Sequence, residues 1–196
     1  MEALAASHRY EENLAARAQT DQASFAAVYD HFFRRVYNYV RYRVGDPASA
    51  DDVTAQIFER ALNHLSEYHS KRGSFAAWLF GIARHAVQDH LRKRRRNPHV
   101  PLESVEDRLS DAAGPDQHVE AKQDREYLLG LIASLNEREK EILALKFGAS
   151  LTNRRIAELI GLKESHVGVI LYRTMGKLRE KLQGDENGRR ILGRSI

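Results

Sequence analysis

Residues 71–96 read KRGSFAAWLFGIARHAVQDHLRKRRR, and the fold of the chain turns on this stretch. Phe75, Trp78, Leu79, Ile82, Ala86 and Leu91 recur mostly at three- and four-residue steps, which predicts an amphipathic helix with one apolar stripe. Ser74 suits the cap position at its start, and Pro98 forbids much continuation beyond Asn97. Arg84, His85, Arg92, Lys93, Arg94, Arg95 and Arg96 fall on the other face and at the C-terminal end. Eight Lys or Arg stand against a single acid, Asp89, so the stretch carries +7 while the whole chain carries +4. Everything outside it therefore sums to −3. One or two cations suit the negative end of a helix dipole. Five in a row exceed that need and mark a surface for a polyanion, nucleic acid above all.

Composition bounds the rest. The chain has 196 residues, 42% hydrophobic and 30% charged, enough for one domain or two small helix-rich ones. Zero cysteines exclude a disulfide framework and Cys-based zinc sites. No run approaches the length of a membrane span, and residues 1–20 lack the apolar core of a signal peptide. A cytoplasmic protein without membrane insertion is expected, with residues 1–20 an N-terminal extension, either loose helix or tail, to which no role is assigned.

Outward from the basic helix, a first domain spans 21–96. Its first helix runs from about Ser24 to Val44 and buries Phe25, Val28, Tyr29, Phe32, Val36, Val40 and Val44. Gly45-Asp46-Pro47 stops it and starts another, with Asp46 as cap and Pro47 in the first turn. That second helix, Ala48 to Leu65, buries Val53, Ile57, Ala61, Leu62 and Leu65. Its outer face carries Asp51, Asp52, Gln56, Glu59 and Arg60. Acids in a first turn are also explained by the helix dipole alone. A polar loop, Tyr68 to Gly73, leads into the basic helix.

Residues 97–123 change character. From Asn97 to Ala121 there are three prolines, Gly114 and six acids against one Arg, which predicts an acidic, flexible linker. A second domain, 124–183, follows. Its first helix starts near Asp124, with Tyr127, Leu128, Leu131, Ile132 and Leu135 apolar. Asn136 to Glu139 has the form of a capping box and opens a helix to Phe147. Thr152 to Ile160, a Gly161-Leu162 turn and Glu164 to Leu182 then give a helix-turn-helix, with Ile156, Leu159, Ile160, Val167, Ile170, Leu171, Leu178 and Leu182 inside. An ordinary helical hairpin has the same packing geometry, but Arg154, Arg155, Arg173, Lys177 and Arg179 around it favour DNA. Residues 184–196 read as a tail. The fold class is all-α: two helical domains joined by a linker.

Together the two halves resemble a known family. Ala50-Asp51-Asp52-Val53-Thr54-Ala55-Gln56-Ile57-Phe58 is similar to the A-E-D-L-x-Q-E-V-F segment of bacterial sigma factors. Phe75 to His85, with Asp89, Leu91 and Arg92, resembles their F-x-x-W-L-x-x-I-A-R-N-x-x-x-D-x-L-R segment. Leu135 to Leu143 resembles their L-P-E-R-E-R-E-V-L opening of the last domain. Over Ser24 to Leu182 the architecture is similar to the extracytoplasmic-function class of the sigma-70 family.

The resemblance implies a transcription initiation factor that brings core RNA polymerase to promoter DNA, with no covalent chemistry and no cofactor or metal. Asp51, Asp52, Gln56, Glu59 and Arg60 would meet the polymerase. Lys71, Arg72, Ser74, Trp78, Arg84, His85, Asp89, Arg92 and Arg95 would engage the −10 element as it melts, although Trp78 also fits the core. Arg154, Arg155, Glu164, Ser165, His166, Gly168, Val169, Tyr172, Arg173 and Lys177 would meet the −35 element as duplex. The linker would thread towards the polymerase active centre, and an anti-sigma factor is the expected regulator. Two positions depart from the pattern: His85 replaces the usual Asn, and Gly168 replaces the usual Lys.

Two other classes compete. A DNA-binding regulator working alone, with a LuxR-like helix-turn-helix and a dimerisation or ligand module, would share the second domain. The acidic helix face beside clustered cations in the first domain speaks against it. An enzyme has less support: His64 and His69, and His85 and His90, are five apart rather than the four that puts two ligands on one helix face, and no phosphate loop or nucleophile motif is present.

Overall fold

The computed structural model describes residues 2–96 and 115–194, with side chains over 9–96 and 123–192. Every regular element among them is helical, and none of these helices is long and apolar enough to cross a membrane. The chain divides into two compact units. The first unit contains α1 (Glu2–Thr20), α2 (Phe25–Val44), α3 (Pro47–Asn63) and α4 (Phe75–Arg96). The second contains α5 (Pro115–Ala133), α6 (Glu137–Leu143), α7 (Asn153–Ile160), α8 (Glu164–Gly184) and α9 (Glu186–Arg194).

In the first unit, α2, α3 and α4 pack on one another around Val28, Phe32, Val36, Val40, Ile57, Phe75, Leu79 and Phe80, all fully buried. The Asp46 carboxylate accepts the Ser49 N–H at 2.8 Å, and Pro47 takes the first turn, so α3 starts as the sequence predicts. The apolar stripe of α2 is corrected at Tyr29, which is 40% exposed. Its ring lies on the flank, 4.6 Å from Phe58 and 5.2 Å from Phe33. Tyr37 and Tyr39, outside the predicted stripe, are buried instead.

The N-terminal extension is helical and, over its described side chains, packed. Residues 2–20 form α1, which buries Leu14, Ala15 and Ala18 against the unit. Buried Glu11 accepts from Arg35 at 2.7 Å and lies 3.5 Å from His31 Nε2. Arg35 in turn stands over the Phe32 and Phe80 rings. A buried carboxylate needs such partners, since desolvation without them costs several kcal/mol.

In the second unit the Asn136 side chain accepts the Glu139 N–H at 2.9 Å, while the Glu139 carboxylate accepts the Asn136 N–H at 3.3 Å. This reciprocal cap opens α6, which stops at Leu143 and passes into a π turn, Ala144–Gly148. The predicted linker is shortened from its C-terminal side: Pro115 opens α5, where its fixed φ fits a first turn. The acidic character predicted for 97–114 lies outside the described residues. Among the described side chains of α5, Leu129 and Ile132 are buried, whereas Leu128 faces out. The predicted tail forms α9, whose Arg190 meets Asp124 at 2.6 Å, while Asp185 accepts the Tyr127 hydroxyl. The turn back is tight. A side-chain carbon on Gly188 would stand 2.1 Å from the Leu182 carbonyl oxygen.

Candidate nucleic-acid interface

The basic helix starts as its sequence requires: the Ser74 Oγ accepts the Ala77 N–H at 3.3 Å. Ser74 is only 4% exposed, so this candidate DNA contact is corrected to a cap whose side chain is closed to a ligand. Lys71, Arg72, His85, Arg92 and Arg95 are exposed, while Trp78, Arg84 and Asp89 are half-buried. Trp78 is neither fully core nor free. Its ring lies 5.3 Å from Phe75 and 5.6 Å from Tyr68, and the residue stays partly exposed.

The loop before the helix, which the family resemblance sets against the −10 element as Tyr68 to Gly73, is built around Tyr68. Tyr68 is buried between two short 3-10 turns, and its hydroxyl donates to the Gly73 carbonyl at 3.2 Å. Burial, helped by Glu12 and Glu11 of α1, pushes the phenol up to about 12, so it keeps its proton at any working pH.

Not all the cations are offered outwards. Arg94 Nη1 lies 3.6 Å from Asp46 and donates to the Val44 carbonyl at 3.3 Å, which ties it to the α2–α3 corner. Arg92 pairs with Asp89, and Arg60 of α3 lies 3.6 Å from the same carboxylate. The Arg92 guanidinium holds the Asp89 carboxyl below its ordinary range, with Arg60 adding to the effect. Asp89 thus joins the basic helix to the outer face of α3.

On that face Asp51, Asp52, Gln56, Glu59 and Arg60 are all exposed. Because α3 begins at Pro47, its first turn holds no acid, and Asp51 and Asp52 fall beyond it. The dipole acts within the first turn. Helix stabilisation therefore does not account for these two carboxylates.

The second unit folds its helix-turn-helix from strong local signals. Thr152 accepts the Arg155 N–H at 3.3 Å to open α7, and Gly161, with φ +69°, takes the left-handed turn that closes it. Ile156, Ile160, Val167 and Leu171 are buried. On α8 Glu164, Ser165, His166, Val169, Tyr172 and Arg173 are exposed and Gly168 is half-buried. Tyr172 is 83% exposed and Val169 46%, an apolar pair on a solvent face.

Three cations predicted to face DNA are engaged within the unit. Lys177 pairs with the buried Glu139 of α6, and its ammonium holds that carboxyl below the ordinary range. Arg154 and Arg155 share Glu158, at 3.2 and 2.8 Å. Of these, Lys177 has the structural part, because it fastens α8 to the α6 cap. The exposed pairs of Glu158 are worth little and exchange easily.

Two family models match the chain in order: Sigma-70 region 2 over residues 28–97 and Sigma-70, region 4 over 131–180. The ECF RNA polymerase sigma factor BldN of Streptomyces coelicolor is 31% identical over 173 residues, 88% of this chain and 66% of that one. The ECF RNA polymerase sigma factor SigD of Mycobacterium tuberculosis is 30% identical over 151 residues, 75% of this chain and 71% of that one. The chain thus spans about two thirds of the length of these relatives. The solved structure of CnrH in complex with the cytosolic domain of CnrY aligns with a TM-score of 0.67 at 21% identity, covering 90% of this chain and 99% of CnrH, and shares the fold. A regulator working alone is not favoured, since the first unit matches region 2 rather than a ligand or dimerisation module. With both regions matched in order and SigD alike over most of both chains, the protein belongs to the extracytoplasmic-function class of the sigma-70 family, promoter-directing initiation factors.

Proposed function

We propose that this chain works in the cytoplasm, docks on core RNA polymerase through the outer face of α3, and directs it to promoters. The 68–73 loop and α4 read the −10 element as melted single strand, and α8 meets the −35 element as duplex. The observation that carries this reading is the segregation of charge on the first unit. Asp51, Asp52 and Glu59 lie exposed along α3, while Lys71, Arg72, Arg92, Lys93, Arg95 and Arg96 lie exposed on the loop and α4. Opposite charges gathered on separate elements, which touch where Arg60 lies 3.6 Å from Asp89, suit two partners at once: a basic protein surface and a phosphate backbone.

The energetics of opening fit such a surface. Splaying a base from a duplex costs a few kcal/mol. Stacking on an aromatic face returns about 1–3 kcal/mol per base, and cations along the strand add to it. Trp78, half-buried, is placed for stacking at the edge of the core. Replacing Arg84 and Arg92 by Ala is expected to slow opening and to flatten its salt dependence. Each lost phosphate contact lowers the log–log slope by about 0.7 for a single strand. Fluorescence of 2-aminopurine in the −10 element measures both, and a wild-type rate and slope in the double variant would refute the assignment.

Specificity is divided unequally. Of the exposed side chains in the first turns of α8 only Arg173 is a permanent cation, and Arg154 and Arg155 position without reading bases. Gly168 is not required by the fold: a side-chain carbon there meets only Asn153 at 3.8 Å, an ordinary contact. Gly168→Lys is expected to tighten duplex binding without adding selectivity and to raise helix propensity by up to about 1 kcal/mol. For the wild-type protein, a saturation library of both promoter elements read by in vitro transcription should show larger penalties at −10 than at −35. The reverse order would overturn this division.

Regulation falls to an anti-sigma partner, as the complex of CnrH with the cytosolic domain of CnrY suggests by likeness.

A further inference from the structure

Helix α1 precedes the residues matched by region 2, which begin at 28, yet it reaches the loop that leads into the basic helix. The Gln19 Nε2 donates to the carbonyls of Leu65 and Tyr68, each at 2.8 Å. Both acceptors belong to buried residues at the entry of the 68–73 loop. From there the Tyr68 hydroxyl crosses to the Gly73 carbonyl at the loop exit, 3.2 Å away. Its ring meets Phe75 at 5.1 Å and Trp78 at 5.6 Å. One amide on α1 therefore fixes the loop entry, and the side chain next to that entry fixes the exit.

We infer that α1 pre-organises the −10 reading loop, with Gln19 as the positioning residue. This rests on the reading above that the 68–73 loop meets the −10 element. An amide nitrogen carries two N–H donors, which is the chemistry that satisfies two carbonyls from one atom. The helix that presents it is anchored by buried Leu14, Ala15 and Ala18 and by the Glu11–Arg35 pair. Lys71 and Arg72 sit exposed between the two fixed ends. A loop so held has already lost the conformational freedom that binding would otherwise remove, so its two cations meet the strand in one arrangement and discriminate among bases instead of adapting to all of them.

The test uses Gln19→Glu, which turns an acceptor on the two carbonyls, and Gln19→Met, which keeps length and removes the donors. Trp78 is the single tryptophan of the chain, so acrylamide quenching of the intact protein reports the Tyr68 environment directly. Both variants are expected to raise Trp78 quenching. In holoenzyme they should lower discrimination between the preferred −10 sequence and its single-base variants by about tenfold, roughly what two ordinary hydrogen bonds supply. Affinity for core polymerase should stay within about twofold, since exposed substitutions away from an interface change little. Lys71→Ala with Arg72→Ala is the parallel arm that tests the loop itself.

Unchanged quenching in both Gln19 variants would overturn the clamp. So would raised quenching with intact −10 discrimination, where the Lys71/Arg72 variant loses it. A fall in thermal midpoint and core affinity with no change in the ratio between −10 sequences would reduce Gln19 to a structural contact and overturn the proposal. If the Lys71/Arg72 variant keeps full discrimination, it is the loop assignment that fails.

Discussion

Phe75→Ala is expected to remove about 3–5 kcal/mol of stability from the first unit, the range for truncating a buried phenylalanine. The ring is fully buried where α2, the 68–73 loop and α4 meet. It lies 5.4 Å from Phe32, 5.1 Å from Tyr68 and 5.3 Å from Trp78. Aromatic pairs of this kind add about 0.5–1.5 kcal/mol beyond the area they bury. Small domains hold only about 5–15 kcal/mol in total, so the loss should be visible as a lower denaturant midpoint followed by Trp78 emission and by circular dichroism. Promoter opening should fall with it, because the same ring supports the loop and the start of α4. Phe75→Leu, which keeps most of the volume, should lose far less. A loss under about 1 kcal/mol for the alanine variant would mean that the cluster collapses around the gap.

Reversing Asp52→Lys together with Glu59→Lys is expected to weaken binding to core polymerase by about a hundredfold, since close charge pairs across an interface couple by about 1.5–7 kcal/mol. Both residues are exposed on α3, and each substitution should cost the fold under about 0.5 kcal/mol. Asp52 lies beyond the first turn of its helix, so little dipole stabilisation is lost. Helicity and melting should therefore stay at wild-type values while affinity drops and its salt dependence inverts. Wild-type affinity for core enzyme would remove the docking face from α3.

How much of this was legible in the sequence depended on how much each signal was local. Helices α2, α3, α7 and α8 were bounded to within a few residues, because Asp46-Pro47, Thr152 and Gly161 act on the backbone next to them. The Asn136–Glu139 box likewise needs only its own turn. Helix α1 gave a weak pattern because the buried residues described on it are two alanines, one leucine and the charged Glu11, which say little about which face is covered. The sequence reads 184–196 as a tail because the segment is short and polar, and the contacts of Asp185 with Tyr127 and of Arg190 with Asp124 come from far along the chain. Long-range pairings of the cations were hidden for the same reason. Lys177 finds Glu139 from 38 residues away, and Arg94 finds Val44 from 50. Ser74 showed both its possible uses, cap and contact, and burial chose the cap.

The close crossing of α9 over α8 has a consequence for heredity. Every glycine codon that changes by a single base to another amino acid yields one with a β-carbon. At Gly188 any such atom would meet the Leu182 carbonyl oxygen at 2.1 Å, whereas at Gly176 it would meet nothing within 4 Å. Two glycines of the same unit thus stand at opposite ends of tolerance. Drift is open at one of them, and at the other it is confined to the silent third base.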